Sequence, residues 1–295
     1  MADGYWGKVL WVDLNKKESR VEELPQTWKN LYIGGEGFGV RLLFDSLPPG
    51  TDPLGPQNLL IFTTGPLTGT RAPTAGRTAI VFKSPLTGTI GASNVGGFWA
   101  PAFKRCGFDM LVVSGKAQQP VYLWITDDRV EIKDAAAVWG KTLNESEEIL
   151  RKEVGNDKAV VAAIGPAGEN LSLISAIMVD AHRAAGRGGP GAVMGSKNLK
   201  AVVCWGEKNV PAADSEALSE AARQARHELD AEDFVRDELK PFGTPSFTDS
   251  INALGILPTR NWQYNSFDAM DKLGHQAYHQ TLKVKPWPCW GCPIA

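Results

Sequence analysis

Short apolar runs rich in β-branched residues recur through the first two-thirds of the chain. Lys8–Leu14 (KVLWVDL), Asn58–Thr63 (NLLIFT), Thr78–Phe82 (TAIVF), Met110–Val113, Val121–Thr126, Ala159–Ile164 (AVVAAI) and Lys200–Trp205 (KAVVCW) read as strands. Turn signals such as Pro48-Pro49-Gly50 separate them. Thr142-x-x-Glu145 matches a capping box and predicts a helix running to Val154, ended by Gly155. The pattern then changes. Asp214–Leu239 is rich in Ala, Glu, Arg and Leu without Gly or Pro and predicts a long helix. A second helix is expected over Phe247–Leu254, ended by Gly255. The expected fold is α+β: a mixed strand/helix domain over residues 1–210, then the start of an α-helical domain over 211–295. Pro66-Leu67-Thr68-Gly69-Thr70 returns as Pro85-Leu86-Thr87-Gly88-Thr89, either as related turns of a duplicated unit or as two independent turns.

Length and composition add limits. A chain of 295 residues, 43% apolar and 22% charged, suits one large or two smaller globular domains. A net charge of −2 offers no global attraction for nucleic acid or a membrane surface. No apolar run reaches membrane-spanning length, and Met1–Lys17 holds no uninterrupted apolar core of a secretory signal. Four cysteines, two of them as Cys289-x-x-Cys292, favour metal or redox chemistry in a reducing cytoplasm over structural disulfides. Glycine clusters in loops, at Gly34–Gly39, Gly96-Gly97 and Gly186–Gly191, where backbone amides can approach a ligand closely.

Acid is missing from two segments. Pro53–Phe108 holds no Asp or Glu, where the overall frequency predicts about six, yet it holds Arg71, Arg77, Lys83, Lys104 and Arg105. Ala181–Gly206 also lacks acid and carries His182, Arg183, Arg187, Lys197 and Lys200. Guanidiniums beside glycine loops suit an anionic ligand, because Arg grips phosphate in a bidentate fork and loop amides add donors. The competing reading is that buried strands and tight turns simply contain few charges. Gly186-x-Gly188-x-x-Gly191 fits a dinucleotide fingerprint literally. The expected strand is not visible before it, and Pro190 interrupts it, which argues against a nucleotide-binding dehydrogenase.

The Cys289–Cys292 pair admits three readings: half a zinc site, a redox dithiol or half a [4Fe–4S] site. Cys106 and Cys204 read as buried small hydrophobes. His182 reads as a structural member of its loop, and no acid–base catalyst is assigned.

The chain resembles the aldehyde:ferredoxin oxidoreductase family along nearly its whole length. The resemblance is carried by Gly7–Leu14, Gly65–Thr70, Gly76-Arg77, Lys83–Gly88, Ser93–Gly97, Ile164–Asn170, His182–Gly189 and Gly191–Ala201. It implies a pterin-binding N-terminal domain and a tungsten or molybdenum bis-pterin cofactor, with magnesium bridging the pterin phosphates. By motif, Arg77, Asn94, Gly96, Arg183, Ala184 and Gly186 would contact the cofactor, Asn94 and Ala184 through carbonyls toward magnesium. The family's cluster motif is C-x-x-C-x-x-x-C with a fourth cysteine far downstream. Cys289 and Cys292 match its first two positions, and the third falls just past Ala295. The resemblance thus implies the N-terminal part of an enzyme that oxidises aldehydes to carboxylic acids and sends electrons through a [4Fe–4S] cluster to ferredoxin or a similar carrier. Reduction of acids or aromatic thioesters on the same cofactor, and a non-catalytic cofactor-holding remnant, are the alternatives. Expected partners are an aldehyde and an electron carrier, with further copies of the chain or a second chain completing the site.

Overall fold

The computed structural model describes residues 3–127, 129–282 and 284–294. The chain divides into two compact units, residues 1–70 with 75–215, and residues 71–74 with 216–295.

The first unit holds two six-stranded sheets, each running unbroken through its half of the sequence. Sheet A contains β1 (Lys8–Asp13), β2 (Glu18–Glu23), β3 (Leu60–Thr63), β4 (Thr78–Lys83), β5 (Ile90–Val95) and β6 (Met110–Ser114) in the order β2-β1-β6-β3-β4-β5. Sheet B contains β7 (Val121–Thr126), β8 (Arg129–Asp134), β9 (Val160–Ala163), β10 (Ile177–Val179), β11 (Arg183–Ala185) and β12 (Leu199–Cys204). Read from its β8 edge, sheet B runs β8-β7-β12-β9-β10-β11. This is the same order with every strand number raised by six. In both sheets only one neighbouring pair is parallel, β1 with β6 and β7 with β12. The unit is therefore an internal duplication.

Sequence traces of the duplication become visible once the topology is known. Leu10-Trp11-Val12 on β1 corresponds to Leu123-Trp124-Ile125 on β7, the equivalent strand of the second hairpin. Gly65-Pro66 after β3 corresponds to Gly165-Pro166 after β9. The Pro-Leu-Thr-Gly-Thr echo is something else. Its two copies connect β3 to β4 and β4 to β5, so both lie in the first repeat. They are independent turns that share a left-handed glycine, Gly69 at φ 77° and Gly88 at φ 75°.

Among the described residues, six helices accompany the sheets, and a seventh begins where the chain leaves the first unit. They are α1 (Gln26–Tyr32), α2 (Glu36–Ser46), α3 (Trp99–Arg105), α4 (Leu143–Glu153), α5 (Pro166–Glu169), α6 (Pro190–Ser196) and the start of α7 (Ser215–Ala231). Alternation along each central strand divides its side chains between two cores. Leu10, Val12, Leu60 and Phe62 join the core shared with sheet B, whereas Val9 and Ile61 join the core under α2. Strands buried on both faces lose the polar alternation of a half-exposed strand and read as continuous apolar runs. The shared core also takes in α3 and α6. Trp99 of α3 stacks on Phe103 with ring centroids 5.1 Å apart and donates its indole N–H to the Val202 carbonyl at 2.9 Å. Full burial of such a ring stabilises by roughly 3 kcal/mol.

The capping box is present as expected. Thr142 caps α4, and its amide donates to Glu145 at 2.9 Å. The long helix expected over Asp214–Leu239 is interrupted. Regular α7 ends at Ala231, Glu232 breaks it, and Val235–Leu239 has π-helical pairing. Phe247–Ala253 is helical and is followed by Gly255 at φ 68°. Among the described residues, no helix is long and apolar enough to cross a membrane.

Candidate cofactor-binding site

Strands β5 and β11 are the equivalent edges of the two sheets, and they lie against each other. An edge strand keeps one row of backbone N–H and C=O groups outside its ladder. The family-implied residues gather at these two edges. Asn94 lies on β5 opposite Ala79. Arg77 and Gly96 sit one residue beyond the last β4–β5 pair, Thr78 with Val95. Arg183 and Ala184 lie on β11, Ala184 opposite Met178, and Gly186 follows directly. Arg77, Asn94, Ala184, Gly186 and Arg187 are exposed, while Gly96 and Arg183 are half-buried. Residues about 90 positions apart in sequence thus share one surface, because the duplication places equivalent edges side by side.

Hydrogen bonds join the two edges. The Arg187 amide donates to Ser93 Oγ at 3.1 Å, and the Ser84 hydroxyl donates to the Gly188 carbonyl at 2.7 Å. The Phe98 amide donates to Asp180 Oδ2 at 2.8 Å. Gly188 and Gly189 are both left-handed at φ 77°, and Gly189 caps α6. Only glycine adopts such consecutive conformations without strain.

The cations of the acid-free segments divide into two classes. Several are committed to the protein itself. Lys83 Nζ donates to the Thr51 carbonyl at 2.6 Å, and Arg105 Nε to the Lys208 carbonyl at 3.3 Å. Lys104 is fully buried against Asp109. Lys200 Nζ bridges Glu169 Oε1 at 2.5 Å and the Lys141 carbonyl at 3.1 Å. Lys197 Nζ donates to the carbonyls of Asn58 at 2.5 Å and Gly115 at 3.2 Å. Burial pushes the Lys197 ammonium down to about 7, partly opposed by Asp13. Arg77, Arg183 and Arg187 are instead placed at the two edges, Arg77 and Arg187 exposed and Arg183 half-buried near Asp180.

Carboxylates absent from those segments arrive from elsewhere in the chain. Glu36, at the start of α2, accepts a hydrogen bond from the Asn94 side chain. Asp180 is buried in the turn between β10 and β11, where it and Ala181 are both left-handed, at φ 52° and 53°. Burial raises the Asp180 carboxyl above its ordinary range, while the Phe98 amide and the Arg183 charge pull it back. Glu147 of α4 lies in the same neighbourhood, also raised by burial and lowered by Arg151. Neither Glu36 nor Asp180 was visible as a site residue, because nothing local marks an acid as the partner of a segment 60 or 80 residues away.

The glycine fingerprint is corrected in part. A strand, β11, does precede Gly186, and Gly191 does lie in the first turn of a helix, α6. That strand pairs antiparallel with β10, and β12 joins β7 and β9, so no βαβ crossover forms around the loop. The dinucleotide context is therefore missing.

In the second unit, Cys289 and Cys292 are half-exposed, and a turn closed by the Cys292 amide on the Cys289 carbonyl at 3.1 Å holds them. Gly291 provides that turn's left-handed residue at φ 62°. Thr74 donates its amide to the Gly291 carbonyl at 2.9 Å. Among the described residues, no three His, Cys, Asp or Glu side chains gather into a metal site. Cys106 and Cys204 are fully buried; their thiols donate to the Ala102 carbonyl at 3.3 Å and the Trp99 carbonyl at 3.7 Å. Burial raises the Cys204 thiol well above its ordinary range, which keeps it unreactive.

Residues 9–206 match the family described as "Aldehyde ferredoxin oxidoreductase, N-terminal domain", and residues 220–295 match "Aldehyde ferredoxin oxidoreductase, domains 2 & 3". The chain is 44% identical over 291 residues to the tungsten-containing aldehyde ferredoxin oxidoreductase of Pyrococcus abyssi, covering 99% of this chain and 48% of that one. It is 36% identical over 308 residues to the aliphatic sulfonate oxidoreductase, WOR-like subunit, of Pyrococcus furiosus, covering 98% and 48%. Among solved structures it resembles the active site complex BamBC of benzoyl coenzyme A reductase with 1,5-dienoyl-CoA. The TM-score is 0.86 at 34% identity, over 99% of this chain and 46% of that one. The chain spans about half the length of the relatives it matches.

Proposed function

The chain belongs to the aldehyde ferredoxin oxidoreductase family, and from that premise we propose that it is the N-terminal part of a tungsten bis-pterin enzyme that oxidises aldehydes to carboxylic acids and delivers electrons through a [4Fe–4S] cluster to ferredoxin. The observation that carries this reading is the meeting of β5 and β11. Two equivalent sheet edges, with Arg77 just before β4 and Gly96 just after β5 on one side and Arg183 on β11 and Gly186 just after it on the other, suit a ligand made of two pterins. Arg77 and Arg183 would hold the pterin phosphates through charge-assisted hydrogen bonds. Gly96 and Gly186 would let the backbone approach the flat rings. Asn94 and Ala184 would turn carbonyls toward a bridging magnesium, a hard cation that prefers oxygen. Glu36 fits that arrangement, since an acid beside phosphates is tolerable where a cation lies between them. Cys289 and Cys292 would give two of the cluster's four thiolates.

When bound, the tungsten–pterin group supplies the two-electron oxidation; this chain supplies position and electrostatics. The pair of electrons leaves the aldehyde as water adds its oxygen, giving the carboxylic acid and two protons. The second reading is reduction of an aromatic thioester on the same cofactor. The likeness to the benzoyl coenzyme A reductase complex favours it, at lower identity than the aldehyde-oxidising relatives.

The test is metal analysis of the full-length protein, purified without oxygen from its native source, followed by viologen dye assays. Tungsten near one and iron near four per chain, with aldehyde-dependent dye reduction, is the expected result. Aromatic thioester turnover without aldehyde activity would select the second reading. Metal near zero would leave a non-catalytic remnant.

A further inference from the structure

The two sheets repeat one topology, and a pair of hydrogen bonds between them repeats as well. Ser84 is the residue after β4, and Asp180 is the residue after the equivalent strand β10. The Ser84 hydroxyl donates to the carbonyl of Gly188, in the loop after β11. The Asp180 carboxylate accepts from the amide of Phe98, in the loop after β5. Each side chain thus leaves its own sheet and grips the loop that follows the other sheet's edge strand. Both are buried, at 0% and 8% exposure.

Glycine stands at both grips. A Cβ on Gly97 would lie 2.6 Å from Asp180 Oδ2 and 2.9 Å from Val179 Cγ1, and φ there is 106°. A Cβ on Gly188 would lie 3.3 Å from Ser84 Oγ, at φ 77°. The gripping atoms therefore occupy the space a side chain would need. Between the two grips lie Asn94 and Gly96 on one edge and Arg183, Ala184 and Gly186 on the other.

We infer that Ser84 and Asp180 are reciprocal positioning residues, holding β5 and β11 in the mutual placement that forms the cofactor surface. The inference rests on the cofactor reading above. Both residues act through the backbone of Gly188 and Phe98 rather than by touching the ligand. The two halves differ chemically. The serine grip is neutral, whereas the aspartate grip is charge-assisted and stronger.

Full-length variants prepared under tungsten-replete, oxygen-free conditions test this, with tungsten per chain and the tungsten electron paramagnetic resonance spectrum as readouts. Melting of the metal-free protein is followed alongside. Asp180→Asn keeps a neutral oxygen acceptor for the Phe98 amide, so its tungsten content should fall only about threefold to fivefold, the difference between a charged and a neutral hydrogen bond, with a spectrum like that of wild type. Asp180→Ala removes the acceptor and should lower tungsten content about tenfold, with a broadened spectrum, as loss of an outer-shell support does elsewhere. Ser84→Ala should lower it about threefold to fivefold, the value of one neutral hydrogen bond. Wild-type tungsten content and spectrum in Asp180→Ala would overturn the inference, as would equal losses in the Asn and Ala variants. Should Asp180→Ala fail to fold, Ser84→Ala decides, and an unchanged spectrum there is the negative result. Wild-type protein without tungsten would instead sink the cofactor reading, and this inference with it.

Discussion

Asp109 is where one substitution should damage the first unit most. Its carboxylate accepts from the amides of Trp6 at 3.1 Å, Gly7 at 2.6 Å and Lys8 at 3.2 Å, and it also pairs with the Lys104 ammonium. Both side chains are fully buried. Asp109→Ala removes an acceptor from four donors at once. Lys104 keeps only the Gly65 carbonyl at 3.3 Å and the Tyr5 ring at 5.4 Å. Burial already lowers the Lys104 ammonium, and Asp109 is the main opposing influence. Removing one partner of a buried pair costs about 3–5 kcal/mol, and the lost amide bonds put this variant at the upper end, about 4–5 kcal/mol. Lys104→Met differs: the carboxylate keeps its three amides and the thioether fills the stem's volume, so the expected cost is about 2 kcal/mol. At roughly 2–4 °C per kcal/mol, the melting temperature should fall about 8–20 °C in the first variant and about 4–8 °C in the second. Thermal denaturation followed by circular dichroism on metal-free protein measures both. A Lys104→Met loss equal to or larger than that of Asp109→Ala would refute the claim that the amide cluster dominates this site.

Three further outcomes are expected. Lys197 has a folded value of about 7, below the ordinary lysine value. The unfolded chain therefore binds the extra proton between pH 7 and about 10, and stability should rise with pH across that window. The gain is at most about 1.4 kcal/mol per pH unit, and the carbonyl acceptors around Nζ reduce it by favouring the ammonium. Urea denaturation of wild type and Lys197→Met at pH 7, 8 and 9 isolates the effect; parallel pH trends in both would reject it. Arg77→Ala and Arg183→Ala should each reduce tungsten occupancy of the full-length enzyme about tenfold or more, the value of a charge-assisted phosphate contact of about 1.5–3 kcal/mol. Unaltered occupancy in both variants removes these residues from the site. Cys289→Ser should remove most of the iron while leaving tungsten bound, read by metal analysis of one preparation; iron retained at about four per chain contradicts the ligand assignment.

Much of the fold was legible because the central strands are buried on both faces. Val121–Thr126 was delimited from the sequence alone, and β1, β3, β4, β6, β9 and β12 fell within two residues of their observed ends. Two-sided burial demands continuous apolar runs, and such runs are a local signal. The helix capped by Thr142 was legible for the same reason, since a capping box is complete within four residues. The motif residues Arg77, Asn94 and Arg183 could be named singly because each sits in a distinctive short block.

Partnership between distant segments could not be read this way. The edge strands β2, β5, β8 and β11, and the three-residue β10 beside β11, carry polar or short sequences, such as ESRVEE and RAA, that become strands only against a neighbour. Internal duplication showed itself in strand order rather than in matching residues, because packing constrains direction and burial more tightly than identity. Charge was divided in the same manner. Lys104, Lys197 and Lys200 look like ligand-binding cations along the chain, yet burial commits them to Asp109, to backbone carbonyls and to Glu169. Local patterning depends on neighbours a few residues away and is written into the chain; which edges meet, and which cations are buried against partners inside the protein, depends on contacts across about 60 to 140 residues and exists only once the two sheets are packed.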